Sequence, residues 1–465
     1  MKSYGIGYIG ESGSYNFVSA YLVMFLTNCI HLDPVMAGTV SAVALFAEVI
    51  SGMIVGNVSD MCTSKLGRRR PYVLATAILM PIVLVLLMHK LDASPGVQFA
   101  YYLVLTMIFR ALFSVFEIPY NALGAQITED YDERTKIRTI ARVYSVIGNS
   151  VGYILPIFIL GLYAESRKAE GWQMVGIIFA AICLVSFGLG FTTAKSYDPP
   201  IEKTKRPRLS QVIKNIFISY KELFQLKAMR LLVAYKGAFS CAFALNNVGT
   251  LYFLKYNMGM NERATFYVYV VTSVIFFAAT PVIGVMTMKM GKARQQYLTF
   301  MGGGLLGVLI FIFARKTVVG GVLFIVIFSF VQSGFWQISP SIFYDIVEVD
   351  RFVNGKVREG DVMSFVSVLG TLVTAVVVEF FGIFLGEAGF DPVATVQSTG
   401  TLDFLASSYM LFPGILLMIG ALTLKIFPVN KDTFFSLKSA ITLKESGRDY
   451  SQYQDDIDKI LMIKK

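Results

Sequence analysis

The stretch Leu45–Tyr72, LFAEVISGMIVGNVSDMCTSKLGRRRPY, surrounds one acid, Glu48, with apolar residues and ends in the basic block Lys65, Arg68, Arg69 and Arg70. About 20 mainly apolar residues suffice to cross a bilayer as a helix. A charge at the centre of such a helix costs about 2.5 kcal/mol or more on insertion scales. Glu48 lies some thirteen residues, roughly 20 Å at the helical rise, from the far end of its span, which is near mid-membrane. Three states could keep it there: a neutral acid, an anion paired with a cation, or an anion coordinating a transported ion.

The rest of the chain has the same character. Of 465 residues 55% are hydrophobic and 15% charged, a balance that excludes a soluble domain. The net charge of +10 raises the question of nucleic acid, but the cations sit in short blocks between apolar segments, as suits anionic lipid headgroups. Cys29, Cys62, Cys183 and Cys241 form no CxxC pair, so neither a disulfide framework nor a zinc site is indicated. The N-terminal MKSYGIGYIGESG lacks the apolar core and cleavage site of a removable signal peptide.

On length and apolarity twelve spans are expected, at 4–30, 35–59, 71–89, 98–124, 139–164, 172–194, 229–256, 263–290, 294–313, 318–347, 360–388 and 402–428. Lys and Arg concentrate in the connections after the even-numbered spans, which puts both termini in the cytoplasm. The polar stretch 195–228 divides the spans six and six. The expected architecture is therefore an all-α membrane protein of twelve transmembrane helices in two six-helix bundles with a central cavity. Its parts are an N-terminal bundle 1–194, a cytoplasmic linker 195–228, a C-terminal bundle 229–428 and a cytoplasmic tail 429–465. Leu66-Gly67-Arg68-Arg69-Arg70 in one half is echoed by Met290-Gly291-Lys292-Ala293-Arg294 in the other. A repeat of six-helix halves is a transporter architecture, with its substrate site at mid-membrane.

Intramembrane polar groups are the candidate site residues. In the fourth span Arg110, Ser114 and Glu117 share one helix face at i, i+4 and i+7. The first span carries Tyr8, Glu11 and Tyr15, the fifth Arg142, Ser145 and Asn149, and the seventh Lys236, Ser240 and Asn247. The tenth presents Gln332, Trp336 and Ser339; the eleventh a stripe of Ser364, Ser367, Thr371 and Thr374, then Glu379. Each has a plainer reading. Glu48 and Glu117 could each belong to a structural buried ion pair with a cation, although intramembrane acids usually face a cavity. Arg142 is near enough to a helix end to snorkel. Lys236, Arg110 and Glu379 read equally as ligand contacts or interhelical pairs, and the Ser/Thr stripe more often as helix glue. Trp336 is a sugar-stacking platform or simple packing. Gly5, Gly7, Gly10 and Gly13 read as close helix packing. Asp60 with Arg68, Arg69 and Arg70 reads as a gate, the arginines binding helix C-terminal carbonyls or acids in one conformation; for the arginines alone a topology signal is the plainer reading.

SDMCTSKLGRRRPY, EIPYNALGAQITEDYDERTKIRT and DIVEVDRFVNGKVREG resemble signatures of the glycoside-pentoside-hexuronide:cation symporters of the major facilitator superfamily, and YGIGYIG with AYLVMFLTN fits the same pattern. The resemblance covers all twelve spans. It implies sugar–cation symport by alternating access, with Glu48, Ser114 and Glu117 at the cation site and Arg142 among the sugar contacts. Against the melibiose permeases, Gly52 replaces a second acid of the second helix, and Ser12 replaces a sugar-binding aspartate. Glu11 stands at a lysine position, Asn121 at a tryptophan position and Thr371 at a lysine position. The substrate-binding set is accordingly Glu11, Tyr15, Arg110, Glu117, Asn121, Arg142, Lys236, Trp336 and Thr371. Without a paired acid at Gly52 a proton is favoured over sodium. Arg110, Arg142 and Lys236 could hold an anionic sugar.

The expectation is a monomeric cation-coupled sugar or glycoside symporter of the plasma (inner) membrane, with H+ or Na+ as coupling ion, no other cofactor, no firm metal site and no nucleic-acid partner. Lipids, the sugar and the coupling cation are its partners. The alternatives are a transport-inactive sensor or scaffold using the charged tail, and an uncoupled facilitator. An enzyme is disfavoured, since His31 and His89 sit at span ends and no HExxH or nucleophile–base pair is present.

Overall fold

Asp33-Pro34 starts the helix that carries Glu48. The Asp33 carboxylate accepts the Val35 N–H at 2.8 Å, and proline suits the first helical position because its missing N–H has no partner there. The computed structural model describes residues 2–462 other than 61, 63, 65, 68, 125–130, 195–208, 357 and 395. Among the described residues the regular elements are all helical. The first six long helices are α1 Lys2–Asn28, α2 Pro34–Asp60, α3 Arg70–Leu87, α4 Pro95–Gly124, α5 Tyr131–Leu160 and α6 Lys168–Ala194. There follow α7 Leu209–Gln225, α8 Lys227–Tyr252, α9 Glu262–Met290, α10 Lys292–Ala314, α11 Val318–Asn354 and α12 Glu359–Glu387. The chain ends with α13 Thr399–Ala406, α14 Phe412–Ile426, α15 Lys431–Glu445 and α16 Gln454–Leu461. A π-helical turn, 253–257, extends α8, and another, 407–411, joins α13 to α14 into one span.

Eleven helical stretches among the described residues are long and apolar enough to cross a membrane. The twelfth expected span is α1, which has the length, 27 residues, but also Gly, Ser, Tyr and Glu11. The reason is enclosure: no residue from Tyr4 to Asn28 is exposed, because α5, α6, α2 and α4 all pack on α1. A helix that meets protein on every side does not need a lipid-soluble surface. Its glycines serve close approach. A Cβ at Gly148 of α5 would lie 2.7 Å from the Ile9 carbonyl oxygen, and one at Gly152 only 2.6 Å from that of Gly13. The repeated basic turn has a conformational cause too, since Gly67 and Gly291 both have positive φ, 108° and 85°.

Contacts divide the chain into two compact units: Met1–Leu209 with Asn247–Val270 and Ala375–Leu405, and Ser210–Asn246 with Val271–Thr374 and Ala406–Lys465. These boundaries differ from a division at the linker. In the first unit, segments of α8, α9 and α12 join α1–α6 at the ends whose connections are poor in Lys and Arg. The Thr27 and Tyr252 hydroxyls bond at 2.6 Å, Thr39 donates to Glu379 at 2.9 Å, and Lys168 pairs with Glu262. Gly38 and Gly382 let α2 and α12 touch backbone to backbone: a Cβ at Gly382 would lie 2.6 Å from the Pro34 oxygen.

In the second unit α10 packs on α11 and α14. Part of the expected linker is α7, which is fastened to the α11–α12 turn. Arg358 donates to Asp350 at 2.6 and 2.8 Å and to Glu222 of α7, while Lys356 reaches Glu222 at 2.8 Å. The tail is helical as well, and Arg351–Glu445 at 2.7 Å and Lys444 on the Phe352 carbonyl hold it to the end of α11. Hydrogen bonds from Lys356 and Arg358 hold the Glu222 carboxyl below the ordinary glutamate range. A depressed carboxylate contributes stability above its unfolded pKa and loses it as pH falls through the folded one. Hydrogen exchange in 209–225 should thus be unchanged from neutral pH to about 5 and accelerate, after correction for intrinsic rates, only below about pH 4; Glu222→Gln should show raised exchange throughout.

Candidate functional site

The polar groups of the first unit converge around α1. Arg110 of α4 donates from Nη1 to Glu48 Oε2 at 3.2 Å and from Nη2 to Ser19 Oγ at 2.9 Å. Its guanidinium carbon lies 4.6 Å from the centre of the Tyr15 ring, which itself packs on Phe113. Ser114, one turn on, donates to the Glu48 backbone oxygen at 3.0 Å, so it ties α4 to α2 through the main chain. Arg110 is 4% and Glu48 12% exposed, which makes this a desolvated pair. Arg110 Nε is buried without a partner among the described residues.

A second row joins α1 to α5. Ser12 donates to Glu11 Oε2 at 2.6 Å; having one hydrogen, it must accept in its 2.7 Å contact with Ser145. One turn along, Asn16 donates to Asn149 at 2.6 Å, and Tyr153 reaches Asn16 at 3.0 Å and Asn247 at 3.1 Å. Glu117 is half-buried, within electrostatic range of Glu11 and Glu48, and has no hydrogen-bond partner among the described residues. Sequence reasoning singled out Ser145, Asn149 and Asn247 but passed over Asn16, Ser19 and Tyr153. Their signal was present: Ser12, Asn16 and Ser19 repeat at i, i+4 and i+7, and Tyr153 continues the α5 row one turn past Asn149.

The other expected residues are placed as follows. Asn121, one turn past Glu117 on α4, accepts the Tyr8 hydroxyl at 2.7 Å beside the stacked Tyr4 and Tyr120. Arg142 is exposed on α5 and forms no ion pair among the described residues. Asp60 closes α2, but its side chain and Arg68 lie outside the described residues. Arg69 is buried, and Arg70 donates to the carbonyls of Leu66 and of Phe191 near the end of α6 while lying 4.3 Å from the Phe191 ring. In the second unit Lys236 is 9% exposed and meets no carboxylate among the described residues; its ammonium lies 4.9 Å from the Phe335 ring and 5.2 Å from that of Trp336. Gly370 leaves room for the lysine stem. Trp336 is 38% exposed, and Thr371 bonds back to its own helix at Ser367. Among the described residues no three His, Cys, Asp or Glu side chains converge as metal ligands.

The family described as MFS/sugar transport protein matches residues 3–431, almost the whole chain. The chain belongs to that family. It is an integral membrane transporter of the major facilitator superfamily, not an enzyme. Relatives include the uncharacterized symporter YjmB of Bacillus subtilis (strain 168), 25% identical over 90% of this chain and 89% of that protein. The isoprimeverose transporter of Lactiplantibacillus pentosus is 24% identical over 92% and 88%, and the raffinose carrier protein of Pediococcus pentosaceus 24% over 90% and 67%. The solved D-xylose-proton symporter shares the fold at a TM-score of 0.64, with 15% identity over 91% of this chain and 95% of that one.

Removing one partner of a buried pair strands the other charge at a cost of about 3–5 kcal/mol, whereas replacing both can be neutral. Arg110→Met should therefore lower the thermal unfolding temperature of the detergent-solubilised protein clearly, and adding Glu48→Gln should recover most of the loss. A double variant no more stable than the single one would show that the two groups are uncoupled.

Proposed function

We propose that this protein is a secondary active symporter that moves a sugar or glycoside with a cation, a proton in preference to sodium, by alternating access across the plasma membrane, with both termini in the cytoplasm. The observation that carries this reading is the unequal treatment of two acids on neighbouring helices. Glu48 is paired to Arg110, while Glu117, two turns from Arg110 on α4, has no hydrogen-bond partner among the described residues. Protonating Glu48 removes the charge that holds Arg110, and frees its guanidinium for a sugar hydroxyl, which Glu117, two turns along α4, would flank from the other side. Binding of the cation then biases one arrangement over the other, which is what coupling requires.

A proton suits the local chemistry better than sodium. Sodium calls for several fixed oxygens, and α2 carries Gly52, whose missing side chain faces Ile118 and Ser114 in ordinary contact. Sugar binding is supported by the half-buried amides and hydroxyls of Asn16, Ser145, Asn149 and Tyr15, by the names of the relatives, and separately by Trp336 with Lys236. The tail groups Glu445 and Lys444 are engaged within the chain, so they give no support to a scaffold role.

Uptake of a glycoside, pentoside and hexuronide panel into proteoliposomes tests this. A gradient of about one pH unit, acid outside, can drive up to about tenfold accumulation by one-proton symport, since one unit is about 1.36 kcal/mol. Glu48→Gln should reduce accumulation to equilibration while counterflow exchange continues. Glu117→Gln should weaken both the pH dependence and sugar binding. Accumulation driven only by sodium would overturn the proton preference, and unchanged accumulation in Glu48→Gln would overturn the site.

A further inference from the structure

The helix α7 has two faces of opposite use. Ser219, Tyr220 and Leu223 are buried; Ser219 bonds Asp361 and Tyr220 bonds Ser364, both on α12. The other face carries Lys214, Phe217, Ile218, Lys221 and Phe224, all exposed and spaced at i, i+3, i+4, i+7 and i+10. Phe217 is 61%, Ile218 46% and Phe224 48% exposed, a large amount of apolar surface for a helix that is not itself long and apolar enough to span. Its one acid, Glu222, is turned to Lys356 and Arg358 and so does not neutralise the two lysines.

We infer that this face of α7 is a contact surface for a bilayer leaflet rich in anionic lipid, with the aromatic side chains at the headgroup–acyl boundary and Lys214 and Lys221 on the phosphates. Position supports it. Only Leu226 separates α7 from the spanning helix α8, so the C-terminal end of α7 lies at the membrane boundary. Charge supports it too, because the exposed face has two cations and no acid, and the sequence leading into it, EKTKRPR, is basic. Aromatics set beside lysines on one face of a short helix outside the spans are the pattern of a helix lying in the interface. The inference is independent of the transport mechanism.

Depth measurement by spin labelling tests it. In full-length protein with Cys29, Cys62, Cys183 and Cys241 replaced, nitroxides are placed singly through Phe217→Cys, Ile218→Cys and Phe224→Cys, with Ser446→Cys as a water-exposed reference and Leu223→Cys as a protein-buried one. The protein is held in nanodiscs of phosphatidylcholine, with or without phosphatidylglycerol. In the anionic discs the labels at 217, 218 and 224 should be relaxed by oxygen and shielded from a water-soluble nickel chelate, the reverse of 446. Lys214→Gln with Lys221→Gln should weaken surface engagement roughly thirtyfold at low salt, and high salt should mimic it. Labels at 217 and 224 that behave like 446 in anionic discs would overturn the inference. So would identical lipid exposure in both discs with no effect of salt or of the lysine changes. Shielding from both reagents, as expected at 223, would show that protein covers the face and would overturn it as well.

Discussion

A charge inside a membrane must be compensated from within the protein, and for Glu48 the Arg110 guanidinium provides that compensation. Arg110 reaches Glu48 on α2 and Ser19 on α1 from its place on α4, so three helices share one polar contact. At an effective dielectric near 20, opposite charges about 4 Å apart attract by about 4 kcal/mol. Desolvation costs several kcal/mol for each ion, so the pair is close to balanced and contributes little net stability. Its significance lies in the asymmetry: intact it is nearly neutral, broken it is expensive. Such a contact is held when both charges are present and released when one is removed, which is the behaviour a proton can exploit.

The same logic explains why α1 is the least lipid-like of the spans. Its polar residues are enclosed by other helices, so Ser12 and Asn16 can bond across to α5 without meeting hydrocarbon. That arrangement requires close helices, and the glycines at 13, 148 and 152 supply the closeness. Packing and chemistry are not separable here. A side chain at Gly152 would push apart the backbones that bring Asn16 to Asn149.

Much of this was legible in the residues. The length and apolarity of the segments located the long helices. The repeated turn glycines could be read as a pattern, although their shared positive φ could not. What sequence cannot supply is the partner of a polar group on another helix. Arg110 could have faced a ligand or an acid on another helix, and only packing selects Glu48. Glu379 likewise meets Thr39 on another helix, while Lys236 meets aromatic rings and, among the described residues, no carboxylate. Asn121, at a position the resemblance tied to substrate, has a neighbour that sequence could not name, since its oxygen accepts the Tyr8 hydroxyl. A resemblance transfers positions, but the neighbours that decide a side chain's role need not come with them.

One helix links the ion pair to the far end of the first unit. α2 is continuous from Pro34 to Asp60 and bears both Glu48 and, nine residues earlier, Thr39, about 13.5 Å away along the axis. Around Thr39 the backbones of α2 and α12 touch at Gly38 and Gly382 with no room for a side chain. Two close-packed helices of this kind are either in contact or parted, because an intermediate gap forfeits dispersion contacts without admitting water. A rigid rod held by an ion pair at its middle and by such a contact near its end will therefore tend to move in one step. In the proposed cycle that gives the proton on Glu48 its leverage: it acts on a contact that has two arrangements, through a helix with no described break between them.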